Sequence, residues 1–193
     1  MPRYLQKPPV SAALYDKHGK TWISISGDIE LYDYRLFKHF IDTTLLPTAR
    51  IVGLTLDSAG GNVIEARIFA QVIRDKLLLQ TYVADHRQCS SACFLIWAAS
   101  KHRAASPTAH IGVHSISRFD GEETLVTKAY TTDQARELAM DHVSPTVIGK
   151  LTSTPPGHIA WLTVKDLGSM DVQIVTSNGA SIPPMCGPKH VCE

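Results

Sequence analysis

Apolar and polar residues alternate along this chain in two patterns, one typical of strands and one typical of helices. Residues 22–27 and 51–56 show the alternation or the short apolar run of a strand. Between them, residues 31–40 repeat apolar positions every three or four residues, which predicts a helix. The order of strand and helix continues with short links, and it favours an α/β domain with mainly parallel strands.

The later elements follow from the same patterns. Further strands are predicted at residues 80–84, 103–105, 109–114 and 172–175, and further helices at 62–76, 92–99, 132–143 and 164–168, with a short one starting at Pro145. Residues 92–99 carry no charge, so a helix there is expected to be buried on every side. Residues 116–130 are polar and predict an exposed arm. We expect an extended leader over residues 1–20, one domain over 21–176 and an irregular tail over 177–193.

Composition narrows the class of protein. The 193 residues are 44% hydrophobic and 19% charged, with a formal net charge of +1, which is typical of one soluble globular domain. This near-neutral balance gives no reason to expect a nucleic-acid partner, and no apolar run approaches the roughly 20 residues of a membrane span. The N-terminus has no hydrophobic signal region, so we expect a cytoplasmic protein, or a periplasmic one whose signal peptide has been removed.

Four cysteines, Cys89, Cys93, Cys186 and Cys192, leave two interpretations open. Their even number permits disulfides, which would indicate an oxidising compartment. Cys89 and Cys93 are equally well explained as small buried hydrophobic residues. The spacing fits structural zinc sites poorly, and we predict no metal and no cofactor.

Two strand-to-helix turns carry the candidate chemistry. A strand that turns through Gly60 and Gly61 into a helix leaves backbone N–H groups unpaired, which suits an oxyanion hole. Ser91 lies at the tip of a second such turn and is a candidate nucleophile. The alternatives are ordinary: Ser90 or Ser91 can cap a helix, and glycine pairs are common in turns.

A general base must come from elsewhere in the chain. His114 follows a predicted strand, and a parallel neighbouring strand could bring it beside Ser91. His110 points to the same side if that segment is extended. A single histidine at a strand end is more often structural than catalytic.

Three segments together resemble a known family. They are Ser58-Ala59-Gly60-Gly61-Asn62, Cys89-Ser90-Ser91-Ala92-Cys93 and Ile111-Gly112-Val113-His114-Ser115. In order and spacing they are similar to the signature blocks of Clp-protease-like serine peptidases. The likeness is closest to bacterial Clp-like proteins with a Cys-x-Ser-Ala-Cys block, often predicted to be periplasmic. It extends over roughly residues 23–175.

The resemblance implies the ClpP/crotonase-like α/β fold, a right-handed spiral of ββα units. It implies Ser91 as nucleophile and His114 as base, with the N–H groups of Gly61 and Ala92 as oxyanion donors and Gly60 shaping the turn. It also implies a peptide or unfolded-protein substrate and a homo-oligomer. An ATPase partner follows by analogy only, with residues 118–132 where Clp peptidases have an inter-ring handle.

The sequence departs from the family at the third catalytic residue. The segment that corresponds to the family's aspartate, residues 158–162, has no carboxylate. Asp141, Asp133 or Asp166 could substitute from another position, a Ser–His dyad is possible, and Lys128 is the candidate for a Ser–Lys dyad.

Two other functions are consistent with the same residues. One is an inactive relative that binds peptides or builds an oligomer. The other is a crotonase-type acyl-CoA enzyme, which shares the fold and a backbone oxyanion hole.

Overall fold

The computed structural model describes residues 10–15, 20–44, 50–75, 79–118, 120–176 and 181–182. In these ranges the strands are Val10–Tyr15 (β1), Lys20–Ser26 (β2), Arg50–Asp57 (β3), Gln80–Val83 (β4), Gln88–Ser90 (β5), His102–Ala105 (β6), His110–Val113 (β7), Ala160–Trp161 (β8), Gln173–Val175 (β9) and Ser181–Ile182 (β10). The helices are Asp33–Thr44 (α1), Val63–Asp75 (α2), Ala92–Ala98 (α3), Leu125–Met140 (α4), Pro145–Ser153 (α5) and Val164–Gly168 (α6).

Most strands join one sheet in the order β1-β2-β3-β4-β6-β9-β10. The pairs from β2 through β9 are parallel, whereas β1 and β10 add antiparallel edges. Parallel neighbours need crossover connections, and α1 and α2 supply those between β2, β3 and β4. The predicted α/β class with mainly parallel strands is therefore confirmed.

A smaller sheet in the order β5-β7-β8 branches from the end of β3. Two isolated parallel bridges, Ile29 with Gly61 and Ser58 with Cys89, set the segment after β3 between the segment after β2 and β5. The end of β3 therefore lies next to the start of the smaller sheet. Both predicted strand-to-helix turns meet at this junction.

Helix α3 forms the centre of the core. All seven of its residues are buried, as its lack of charge predicts. The Trp97 indole donates a hydrogen bond to the Ala104 carbonyl (3.0 Å), and the Thr81 hydroxyl donates to the Trp97 carbonyl (2.8 Å). These bonds satisfy buried polar groups and fix α3 against β4 and β6.

The structure corrects some predicted boundaries. Helix α4 begins at Leu125 rather than at residue 132, because Thr124 and Thr127 form a capping box that starts the helix inside the predicted polar arm. Strand β1 lies within the predicted leader and β10 within the predicted tail. The remaining leader residues 1–9 and 16–19, and tail residues 177–180 and 183–193, lie outside the described residues. None of the helices in the described ranges is long and apolar enough to cross a membrane.

Candidate active site

Ser91 is the single residue between β5 and α3, and its backbone has an unusual conformation. Its φ is 56° and its ψ is −126°, in a region that residues with a side chain rarely adopt. Its hydroxyl makes no capping hydrogen bond, so the structure gives Ser91 no role as a side-chain helix cap. A serine held at a sharp, strained strand-to-helix turn is the geometry that exposes a nucleophilic hydroxyl.

The glycine turn packs directly against this serine. Gly60 has a φ of +112°, and a Cβ there would lie 2.7 Å from Ser91 Cβ and 2.8 Å from the Ser90 carbonyl oxygen. Only glycine permits both this conformation and this approach. The Gly60 N–H donates to the Ser58 hydroxyl (3.1 Å).

The N–H of Gly61 points away from Ile29 and the segment that follows β2. Ile29 donates to the Gly60 carbonyl (2.7 Å) and accepts from the Asn62 N–H (2.7 Å). In a parallel bridge of this kind, the intervening residue, Gly61, turns its own N–H to the opposite side. That is the side on which β5 and Ser91 lie.

Ser90 ties the two turns together. Its fully buried hydroxyl donates to the Ala59 carbonyl (3.0 Å) and accepts from the Gln88 side-chain amide (2.8 Å). The Ser90 N–H also donates to the Ser58 carbonyl (3.1 Å). The sequence predicts only a helix-capping role for Ser90, but in the structure its side chain links β5 to the glycine turn.

His114 follows the strand next to β5. In the parallel register of β5 and β7, Ser90 pairs with Gly112, and the Ser91 N–H donates to the Gly112 carbonyl (3.1 Å). His114 is two residues beyond Gly112, at the same carboxyl edge as Ser91. The predicted parallel neighbour thus brings these two candidates to one edge of the smaller sheet.

The His114 ring has a backbone partner. Its Nδ1 lies 2.8 Å from the Ser115 carbonyl oxygen, an acceptor that assigns the ring proton to Nδ1 and leaves Nε2 as the basic nitrogen. Among the described residues, no hydrogen bond joins the Ser91 hydroxyl to this ring. Bonds of that kind often tighten only when substrate binds.

Near His114, the structure joins two residues for which the sequence predicts no role, Ser115 and Glu123. The buried hydroxyl of Ser115 donates to Glu123 Oε1 (2.9 Å), and Glu123 precedes the capping residue of α4. Glu123 lies in the polar arm, where periodicity gives no signal for a specific contact. The only sequence feature that could have pointed to Glu123 is its place as an acidic residue just before the start of a helix.

None of the three carboxylates named as third catalytic candidates touches the His114 ring in the hydrogen bonds of the described residues. Asp141 accepts from Arg74 Nε (2.9 Å) and from its Nη2 (2.8 Å), and this hydrogen bond raises the pKa of Arg74. Asp166 accepts from Lys150 (2.6 Å) and caps α6 through Thr163. Burial opposes ionisation of Asp166, but the bonds from Lys150 and Thr163 outweigh it and lower its pKa.

The remaining candidates also have other partners. Asp133 accepts from Arg136 on the exposed face of α4, and Lys128 Nζ lies 3.4 Å from Glu123 Oε2. The His110 ring packs edge-on against Trp161, with centroids 5.9 Å apart. In the described part of the chain, no group of histidine, cysteine, aspartate and glutamate is arranged to hold a metal ion.

A disulfide brackets the candidate nucleophile. Cys89 in β5 and Cys93 in α3 are bonded, with Cα atoms 5.2 Å apart and both side chains fully buried. Of the two interpretations left open by the sequence, the disulfide is the one found for this pair. Cys186 and Cys192 lie outside the described residues.

Comparison with known proteins bears on the fold. The sequence matches no protein-family model and no curated protein. The structure is similar to ClpP1 from Listeria monocytogenes, with a TM-score of 0.57 and 20% identity, covering 76% of this chain and 84% of that one. The chain has a ClpP/crotonase-like fold. It is also similar to a variant of the 1510-N membrane-bound stomatin-specific protease, with a TM-score of 0.55 and 18% identity, covering 77% of this chain and 76% of that one. Both neighbours have the ClpP-like protease fold, which confirms the expected architecture.

Proposed function

We propose that this protein is a serine endopeptidase that hydrolyses peptides or unfolded chains. The observation that carries the proposal is the conformation of Ser91, strained at a strand-to-helix turn with its hydroxyl free of a capping bond. Such strain costs on the order of 1–3 kcal/mol and persists only where the surroundings impose it, which is common at active sites. The protease folds of the two structural neighbours support the same class of reaction.

In the proposed reaction, His114 Nε2 accepts the Ser91 hydroxyl proton as Oγ attacks a peptide carbonyl. The negative charge that develops on the carbonyl oxygen is stabilised by the N–H groups of Gly61 and Ala92. His114 then gives its proton to the departing amine, which leaves an acyl ester on Ser91. Water, deprotonated by His114, hydrolyses that ester and regenerates the hydroxyl.

The Ser115 carbonyl has a defined role in this scheme. In serine peptidases with a full triad, a carboxylate accepts the Nδ1–H and stabilises the imidazolium. Here a neutral carbonyl, that of Ser115, accepts the hydrogen bond from Nδ1–H. It orients the ring and selects its tautomer, but it stabilises the imidazolium less than a carboxylate would. We therefore expect a Ser–His dyad with a rate below that of a full triad.

We also propose a homo-oligomer, which the family resemblance implies. Apolar side chains are exposed on the first turns of α4, where Leu125 is 87% and Val126 63% exposed, and Tyr130 is also exposed. These residues fall within the predicted handle, residues 118–132. An apolar surface of this kind is typical of an interaction site. An ATPase partner remains a prediction by analogy.

Covalent labelling with a fluorophosphonate tests the proposed nucleophile. The wild-type protein should be labelled on Ser91, and Ser91→Ala should abolish labelling and lower kcat/KM for an unfolded protein substrate by at least about 1,000-fold. Ser153→Ala, at the exposed end of α5, is a matched control that should leave both unchanged.

An unlabelled but folded wild-type protein would contradict the proposal and favour an inactive relative. Binding of coenzyme A to that unlabelled protein, measured as a rise in Tm, would favour the crotonase-type enzyme instead.

A further inference from the structure

Glu123 is joined to His114 through a single residue. Ser115 provides both contacts: its carbonyl oxygen lies 2.8 Å from His114 Nδ1, and its hydroxyl donates to Glu123 Oε1 at 2.9 Å. The acceptor that orients the imidazole thus belongs to a residue whose side chain is held by a carboxylate.

The hydroxyl of Ser115 requires an acceptor. Ser115 is only 2% exposed, and a buried hydroxyl without a partner costs about 1–3 kcal/mol. Bonds to a charged acceptor are stronger than neutral ones, so Glu123 is well suited to hold it. The second carboxylate oxygen of Glu123 lies 3.4 Å from Lys128 Nζ, which restricts the orientation of the carboxylate.

Other bonds fix the backbone of the same segment but leave that side chain to Glu123. The Ser115 N–H donates to the Thr154 carbonyl (2.8 Å), and the Ile116 N–H donates to the Thr131 hydroxyl (2.9 Å). These two bonds restrain the backbone N–H groups on either side of the Ser115 carbonyl. The bond to Glu123 supplies the side-chain restraint on the residue that carries it.

We propose that Glu123 is a positioning residue for His114. By holding Ser115, it keeps the Ser115 carbonyl against Nδ1, which maintains the tautomer with a proton on Nδ1 and leaves Nε2 free to accept the Ser91 proton. Glu123 touches neither substrate nor the ring, and its effect passes through Ser115. The proposal rests on the proposed function, in which His114 is the general base.

Two measurements on four variants test this role. The first is the tautomer of His114, read from its ring ¹⁵N chemical shifts in the resting protein and assigned by their loss in His114→Gln. The second is the rate of fluorophosphonate labelling. The variants are Glu123→Ala, Glu123→Gln, Ser115→Ala and the control Glu122→Gln, which removes the same charge from an exposed neighbour that pairs with Arg118.

We expect Glu123→Ala and Ser115→Ala to lower the labelling rate about tenfold and to move the ring toward a mixture of tautomers. Glu123→Gln should restore most of both signals, because its amide oxygen can still accept from the Ser115 hydroxyl. Glu122→Gln should match the wild type. If Glu123→Ala fails to fold, the comparison of Ser115→Ala with Glu123→Gln still decides the question.

The outcomes separate the two proposals. A wild-type protein that resists labelling but whose His114 tautomer changes in Glu123→Ala would refute the peptidase and retain the positioning role. A reactive Ser91 with the same rate and tautomer in wild type, Glu123→Ala and Ser115→Ala would overturn the positioning role alone. Glu123→Gln behaving like Glu123→Ala would also overturn it, because the hydrogen-bond route would then be excluded.

Discussion

At the scale of single residues, the site depends on a close approach between two backbones. Gly60 lies where any side chain would collide with Ser91, and its positive φ disfavours other residues as well. The strained conformation of Ser91 is therefore maintained by its neighbours rather than by its own preference. Changing the glycine tests that dependence.

Gly60→Ala should disrupt the candidate site. Its Cβ would lie 2.7 Å from Ser91 Cβ and 2.9 Å from the Ala92 nitrogen, so the turn that carries both groups must shift. Because of this collision and the positive φ, we expect a loss of about 2–3 kcal/mol in the free energy of unfolding. Labelling of Ser91 by a fluorophosphonate should fall at least about 100-fold. Urea denaturation and labelling rates measure the two effects.

Gly149→Ala is the matched control for this substitution. Gly149 lies within α5 and has open space where a Cβ would be added, so alanine should raise stability by about 0.5–1 kcal/mol. Labelling should not change. A Gly60→Ala protein as stable and reactive as the wild type would contradict the assigned contact.

The sequence predicts candidate residues that stand in motifs, but it gives no signal for contacts that only the tertiary structure makes. Ser91 is predicted from its turn and His114 from its place after a strand, both with the family resemblance, and the parallel register of β5 and β7 does bring them to one edge. Glu123 could not be found in this way, because its contact with Ser115 is set by where α4 begins. Asp141 accepts hydrogen bonds from Arg74 in helix α2, a partner that no sequence spacing reveals.

At the scale of elements, the turn between β5 and α3 is closed by a disulfide. Cys89 and Cys93 belong to different elements, and the bond between them spans the residue that carries the hydroxyl. Both sulfur atoms lie in the core, so the bond also fills space there. Strand β5 has only three residues, so the disulfide adds a covalent link to the hydrogen bonds that Ser90 and Ser91 already make at its end.

Removing this bond should destabilise the protein and loosen the turn. For the double variant Cys89→Ala with Cys93→Ala, closing so short a loop accounts for about 2 kcal/mol, and the lost buried volume adds about 1 kcal/mol. We expect a total loss of about 3 kcal/mol in the free energy of unfolding, measured by urea denaturation. Labelling of Ser91 should also slow, because the turn between β5 and α3 would be less restrained.

The control for this prediction is the pair Cys186→Ser with Cys192→Ser. In that background, dithiothreitol should still lower the stability, and the added alanine substitutions should remove its effect. If dithiothreitol lowers the stability of the variant that lacks all four cysteines as much as it lowers that of the Cys186→Ser, Cys192→Ser protein, the effect does not come from the Cys89–Cys93 bond.

The predicted elements differ from the observed ones where periodicity is weak. Helix α4 begins early because two threonines cap it, although its first turn exposes Leu125 and Val126 and so lacks an amphipathic pattern. Strand β5 is too short for alternation to be visible, and its pairing with β7 is long-range. Length and capping chemistry, rather than hydrophobicity, decide these boundaries.

At the scale of the whole molecule, the order of elements was sufficient to predict the class but not the second sheet. Alternating strands and helices imply parallel pairing, and the main sheet follows that rule from β2 through β9. The smaller sheet includes the two-residue strand β8, which pairs antiparallel with β7 although about 50 residues of sequence separate the paired positions. Such pairings depend on the assembled core, which a single sequence does not display.

A buried carboxyl group at the first residue of α1, Asp33, makes the stability of the whole molecule depend on pH. Asp33 is 4% exposed, and burial raises its pKa to about 6. The N–H of Glu30 donates to it (2.5 Å) and opposes the rise, whereas the charges of Glu30 and Glu65 add to it. In the unfolded chain an aspartate has a pKa of about 3.9.

The sign of the effect follows from proton binding. Between pH 4 and 6, the unfolded chain has released the Asp33 proton while the folded protein still holds it, so the contribution of Asp33 to stability falls as pH rises through this range. Asp33→Asn removes the titrating group and keeps an oxygen that accepts from Glu30. The variant should therefore be more stable than wild type above pH 6, by on the order of 2 kcal/mol, and the difference should vanish near pH 4.

Urea denaturation from pH 4 to 8 measures this difference in the free energy of unfolding. Asp28→Asn, at an exposed neighbouring residue, is the control and should show no such dependence. An Asp33→Asn protein that is less stable than wild type at pH 8 would mean that the ionised carboxylate is favourable at the start of α1.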